Sequence, residues 1–153
     1  MTDAPARLST VPVPIVLGFA DGARLEAILR LVAEGEPPEP MPVEALLDGP
    51  RDFFAVALPA GGSTLIGRGA VATLEMAADA PGAPGMGGGD NGIDIVTFHL
   101  ESGGTVSGVL RVRPDEAGQR MSDIFNAAGG WVVVGLGDRV VLVNKARIGR
   151  VSF

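Results

Sequence analysis

The sequence predicts a mainly β protein: an internal duplication in which a small, strongly curved barrel occurs twice in tandem, each copy with a short helix between its second and third strands. Three observations carry that expectation. Glycine (23) and proline (12) are frequent enough in 153 residues to cut the chain into many short segments. Those segments alternate apolar and polar residues with period 2, or are β-branched runs such as "WVVVGL" (131–136) and "RVVLV" (139–143), as strands covered on both faces require. The order of the segments also repeats.

The first element is a hairpin, and it occurs in both copies. "PIVLGFADGARLEAILRL" (14–31) lies over "IVTFHLESGGTVSGVLRV" (95–112), so that Gly22 meets Gly103, Leu29 meets Leu110 and Arg30 meets Arg111. Period-2 alternation sends Ile15, Leu17 and Phe19 to one face, as it does Val96, Phe98 and Leu100. After the turn, Leu25, Ala27, Leu29 and Leu31 match Val106, Gly108, Leu110 and Val112.

A helix and a third strand follow. "VEALLDGPRDFFAVAL" (43–58) lies over "MSDIFNAAGGWVVVGL" (121–136), placing Phe53 on Trp131. The helical spacing is clearest at Met121, Ile124, Phe125 and Ala128, with Ser122 read as a cap and Gly129 beyond the end; the first helix is shorter, fenced by Pro42 and Gly49. "STLIGRGAVATLEM" (63–76) over "VVLVNKARIGRVSF" (140–153) then supplies a fourth strand and a short fifth one after Val71 or Ile148, with Leu65 on Leu142 and Leu74 on Val151. The expected boundaries are 1–78 for the first copy, 79–92 for a linker and 93–153 for the second. The run "APGAPGMGGGDNG" (80–92) reads as the joint, because the strand-like "IDIVTFHL" follows it where a phosphate loop would need a helix.

In the second copy, "LESGGTVSGVL" (100–110) keeps the spacing Leu-x-x-Gly-x-x-x-x-Gly-x-Leu, and "VNKARIGRV" (143–151) ends the chain. Together they resemble the two motifs of the Sm-like proteins, the superfamily that includes bacterial Hfq; other SH3-like barrels share the geometry. The first copy, "FADGARLEAIL" (19–29), keeps Gly22 and Leu29 but has Phe19 and Ala27 in place of the leucine and second glycine. The first glycine suits a tight turn, and the second lets a bent strand approach its neighbour. The resemblance implies a small barrel that adds strand edges to other subunits, and it raises RNA binding. The loop that would carry a base-reading Asp and Asn is replaced by "RPDEAGQRMSDIFNA", where Asp123 and Asn126 fall in the expected helix.

Composition limits the functions that remain. A net charge of −6 disfavours general binding to a polyanion. All but one of the twelve basic residues are arginine, a bias that suits bidentate ion pairs. Without cysteine there is no disulfide, thiolate site or cysteine nucleophile. The start, "MTDAPARLST", lacks the pattern of a secretory signal, no apolar run reaches membrane-spanning length, and a cytoplasmic protein is expected. The single histidine, His99, cannot build a multi-histidine zinc site, and the serines fall in no G-x-S-x-G elbow. The expectation is a non-enzymatic interaction or assembly module, without cofactor or metal, associating with itself or with another protein.

Two alternatives name other residues. Hfq-like RNA binding would use Lys145, Arg147 and Arg150 with Arg111 and Arg113, provided they share a face. A ligand sensor or minor enzyme would place a site between the barrels near Asp123, Asn126 and His99. For an interface the candidates are Arg120, Asp123, Asn126, Trp131 and His99; Trp131, matching Phe53, is read first as a core anchor of each barrel and second as an interaction hot spot.

Overall fold

The computed structural model describes residues 9–84, 95–111, 121–126 and 129–153, with only the backbone of Arg111 and Ile124. The chain is mainly β. Its strands are β1 (Thr10–Phe19), β2 (Arg24–Glu34), β3 (Glu39–Pro40), β4 (Phe53–Ala57), β5 (Ser63–Gly67), β6 (Val71–Ala77), β7 (Ile95–Leu100), β8 (Thr105–Arg111), β9 (Trp131–Leu136), β10 (Arg139–Asn144) and β11 (Ile148–Ser152). Helix α1 spans Val43–Leu47 and α2 spans Met121–Asn126, while 3-10 turns at Arg68–Ala70 and Lys145–Arg147 precede β6 and β11. Strand, strand, helix, strand, strand, 3-10 turn, strand therefore occurs twice, with β3 as an addition to the first half.

The strands form one antiparallel sheet in the order β11-β7-β8-β9-β10-β6-β1-β2-β4-β5, with β3 on β2. The sheet does not close: β5 and β11 are its two ends. Strands of the first half run β6-β1-β2-β4-β5 and those of the second β11-β7-β8-β9-β10, the same order twice. Local bonds repeat as well. Gly22 N donates to Phe19 O at 2.9 Å and Gly103 N to Leu100 O at 3.0 Å; Arg68 N donates to Asp52 O and Lys145 N to Gly130 O, both at 2.8 Å. The fifth strand of each half meets the first at matched positions, Phe19 opposite Val71 and Leu100 opposite Ile148, each beside a register shift.

The expected strand faces are present. Ile15, Leu17, Ala27, Leu29 and Leu31 are buried in one half, and Val96, Phe98 and Leu110 in the other. Both hairpin glycines take the left-handed region, Gly22 at φ 89° and Gly103 at φ 94°, which side chains with a Cβ rarely adopt. At Gly108 a Cβ would lie 2.5 Å from Gly135 O and 2.5 Å from Val134 Cγ1, the close strand approach expected of that position.

Three details differ from the sequence reading. Helix α2 begins at Met121, so Ser122 sits in its first turn, where its carbonyl accepts from Asn126 Nδ2 at 2.8 Å; Ala128 lies outside the described residues. The expected linker is docked where it starts: Gly82 O accepts from Val43 N at 2.9 Å, and Ala80 and Ala83 pack against the first core. The rest of that run, from 85 to the linker's expected end at 92, lies outside the described residues. Two hydrophobic clusters exist, one per half, but the first also holds Trp131, Val140 and Leu142 of the second half. Among the described residues no helix is long and apolar enough to cross a membrane.

Overpacking at Gly108 has a measurable consequence. Gly108→Ala lowers unfolding stability by about 1–3 kcal/mol, seen as a lower urea midpoint at unchanged slope. Gly104→Ala is the control: its Cβ would meet Ser102 Oγ at 3.6 Å and Leu100 Cδ1 at 3.9 Å, so it shifts stability by less than about 0.5 kcal/mol. Equal midpoints for the two variants would contradict this account of the strand crossing.

Candidate functional site

The feature that organises the surface is the seam where β10 pairs with β6, joining the halves from Arg139 opposite Ala77 to Val143 opposite Thr73. Strand β10 is β-branched and apolar because both its faces are covered: Val140 and Leu142 enter the first cluster, Val141 and Val143 the second. Strand β9 divides the same way, with Trp131 and Val133 toward the first cluster and Val132 and Val134 toward the second. The outer face of the β9-β10 hairpin thus forms one wall of the other half's core. Each large aliphatic side chain buried there stabilises the fold by about 1.5–3 kcal/mol.

Polar groups fix the register of this seam. Asn144, buried, donates from Nδ2 to Val71 O at 2.9 Å and accepts from Ala146 N at 3.0 Å. Arg147 donates from Nη2 and Nε to Gly69 O at 2.6 and 3.0 Å and pairs with Glu101 at 3.5 Å. Glu75 on β6 is held between Arg139 at 3.1 Å and Arg24 at 3.6 Å; such partly exposed pairs contribute at most about 1 kcal/mol each, and their directionality matters more. Asp48 Oδ1 accepts from Gly130 N at 3.0 Å, tying the end of α1 to the start of β9. Beside the seam lie open clefts of about 230, 310 and 680 Å³; the first two share Gly18, Arg24, Thr73, Thr105 and Val106, and the third is lined by Glu75, Ala77 and Arg139 with residues of β1 and β2.

The sequence candidates scatter over this framework. Of the five basic residues, Arg147 is engaged in the seam, Lys145 is half-buried beside it and Arg150 is exposed on β11. Nothing is described of the Arg111 side chain, and Arg113 and Arg120 lie outside the described residues. Of the described members of the set, Arg147 is turned into the seam and Arg150 faces outward from β11. His99, half-buried on β7, shares a 3.0 Å hydrogen bond with Ser152 of β11, while Asp123 and Asn126 are exposed on α2. None of these three lines any of the clefts beside the seam, and among the described residues no group of His, Asp and Glu is placed to hold a metal ion.

Trp131 and Phe53 correct the sequence reading. They are not matched anchors of two barrels: Trp131 is 8% exposed and packs across the seam, whereas Phe53 is 60% exposed, and Phe54 fills the first core instead. The residues that sequence reasoning passed over are Asn144, Glu75 and Phe153, and it did not foresee that Phe53 and Leu65 are exposed. A signal was available in the contrast between the hairpins, since "VVLV" (140–143) of β10 is apolar throughout and its counterpart "STLI" (63–66) of β5 is not.

The seam sets two expectations for stability. Trp131→Ala costs about 3–5 kcal/mol, and because Trp131 is the one tryptophan, its emission in the native protein is that of a buried indole and reports seam opening directly. Asn144→Ala strands the Val71 carbonyl and the Ala146 amide and costs about 1–3 kcal/mol, against less than about 0.5 kcal/mol for exposed Asn126→Ala. Chemical denaturation followed by that emission and by circular dichroism measures these; a neutral Asn144→Ala would contradict its role.

No family model matches this chain, and neither a curated protein nor a solved structure matches it.

Proposed function

We propose that this protein is a non-enzymatic assembly module built from two tandem copies of one small Sm-like or SH3-like barrel unit, working through the edges of its sheet. The observation that carries this reading is the seam itself: one half binds the other by adding strand β10 to the edge of β6 and by capping its core with the outer face of a hairpin. A unit that associates this way has two different edges, and joining two units in tandem uses one edge of each. The repeated element order, strand order and local hydrogen bonds support a duplication as the origin of the pair.

The acidic charge weighs against RNA as the partner. Among the basic groups, Arg147 is spent on Gly69 O and Glu101. Arg68, in the "GRGA" turn, donates from Nη1 to Gly49 O and pairs with Asp52 at 3.9 Å, so it too is turned inward.

Fluorescence anisotropy of short labelled RNAs, titrated at low and moderate salt, tests the class. The expected result is no saturable binding below about 10 μM protein. Micromolar or tighter binding that weakens with salt would replace this reading with an RNA-binding one and direct mutagenesis to Lys145 and Arg150.

A further inference from the structure

The two free ends of the sheet are not alike, and each corresponds to a strand already used inside the chain. β5 holds the place in the first half that β10 holds in the second; β11 holds the place of β6. Among the described residues β5 pairs only with β4 and β11 only with β7. The chain thus ends in the two complementary surfaces that its own seam brings together.

Burial at matched positions shows what is missing. In the seam-forming hairpin β9-β10, Trp131, Val140 and Leu142 are buried against the other half. Their counterparts on β4-β5 are Phe53, Ser63 and Leu65, and all three are exposed, Phe53 at 60% and Leu65 at 68%. The inner face of the same hairpin is complete, with Phe54, Val56 and Ile66 buried, so its outer face alone lacks a partner. Large apolar side chains left on a sheet edge are a surface for strand addition.

The receiving side is incomplete in the complementary sense. In the first half, where the partner hairpin covers the core, Val43, Leu47, Val71 and Leu74 are fully buried. The matched residues of the second half, Met121, Phe125, Ile148 and Val151, are only half-buried. Phe153 at the end of β11 is 80% exposed, whereas its counterpart Met76 is wholly buried.

We propose that the partner of these edges is a second copy of this chain: β5 of one chain pairs antiparallel with β11 of the next, Leu65 opposite Val151 and Ile66 opposite Arg150, and the outer face carrying Phe53 and Leu65 covers the second half's core. The contact is head-to-tail, so each chain offers one edge of each kind; the proposed assembly is the closed form, a ring containing an even number of barrel units, rather than the open filament that the same kind of contact also allows. This rests on the reading of the protein as an assembly module and names its partner. The junction between chains differs from the internal seam in one respect: Arg139, Glu75 and Asn144 correspond to Gly62, Ser152 and Gly67, so it lacks those ion pairs and the buried amide. It depends on backbone pairing and apolar cover, and added salt does not dissociate it.

Light scattering on the full chain and two edge variants tests this. Phe53→Asp with Leu65→Asp blocks the β5 edge, and Arg150→Asp with Phe153→Asp blocks the β11 edge; all four residues are exposed, and circular dichroism verifies that each variant folds. The unaltered protein should have a mass of several chains that stays constant over a tenfold range of concentration. Each variant alone should fall to one chain, and their equimolar mixture should give a two-chain species through the one intact pair of edges. A single-chain mass for the unaltered protein at about 100 μM, well above the micromolar range in which specific interfaces form, overturns the proposal. So does a variant that keeps the full mass, a mass that grows with concentration, a two-chain species from the β11 variant alone, or a mixture that stays single-chain. Association that persists in the blocked variants would leave the assembly reading in place and remove only these edges, whereas salt-sensitive RNA binding in the titration above removes the assembly reading itself.

Discussion

Strand β10 is buried on both faces, and that constraint orders the rest of the molecule. A strand with two dry faces needs a core on each side, and one half of this sheet supplies only one. The second core comes from the other half, so neither half is complete alone: the first lacks a wall without Trp131, Val140 and Leu142, and β9 and β10 would expose those side chains to water without the first half. Hydrophobic burial gives the seam its strength, while the directional groups around it give it a single register. Asn144 is the clearest of these, because its amide satisfies one backbone group on each side of the junction and a slip by one residue would strand the Val71 carbonyl.

The same constraint divides the polar residues into two kinds of work. Glu75 between Arg24 and Arg139, and Arg147 on Gly69 O, occupy the border of the seam. Three of the eleven arginines are thereby engaged in contacts within the chain. That use of guanidinium groups follows from their planar, multiply donating shape, which suits a carbonyl or a carboxylate at a fixed angle better than an ammonium does.

Much of the fold was legible in the sequence, for reasons that can be named. Alternation at Ile15, Leu17, Ala27 and Leu29 fixes which face of the first hairpin is inside, and Gly22 and Gly103 mark the turns because their backbone conformation excludes most other residues. Helix α1 could be bounded by Pro42 and Gly49. The seam was not legible, since an apolar run such as "RVVLV" states that two faces are covered without stating by what. Phe53 begins β4 as Trp131 begins β9, yet their environments differ, because burial of an outward face depends on the neighbour rather than on the strand. Strand β3 at Glu39–Pro40 had no signal at all: two residues in a proline-rich stretch carry no alternation to read.

The docking of the segment around Gly82 carries a consequence for how the chain reaches its native topology. Gly82, at φ 75°, lies so close to Leu31 and the Met41 carbonyl that no Cβ fits there, and its own carbonyl is anchored by Val43. The path from β6 to β7 is therefore pinned to the first half before it crosses to the second. In polymer terms the saving in closure entropy is small, since halving a loop is worth only about 0.6 kcal/mol. The larger effect is kinetic and geometric: the tether delivers the second half at a high local concentration from a fixed point, which favours capture of β6 by the β10 of its own chain over exchange of that strand between neighbouring molecules.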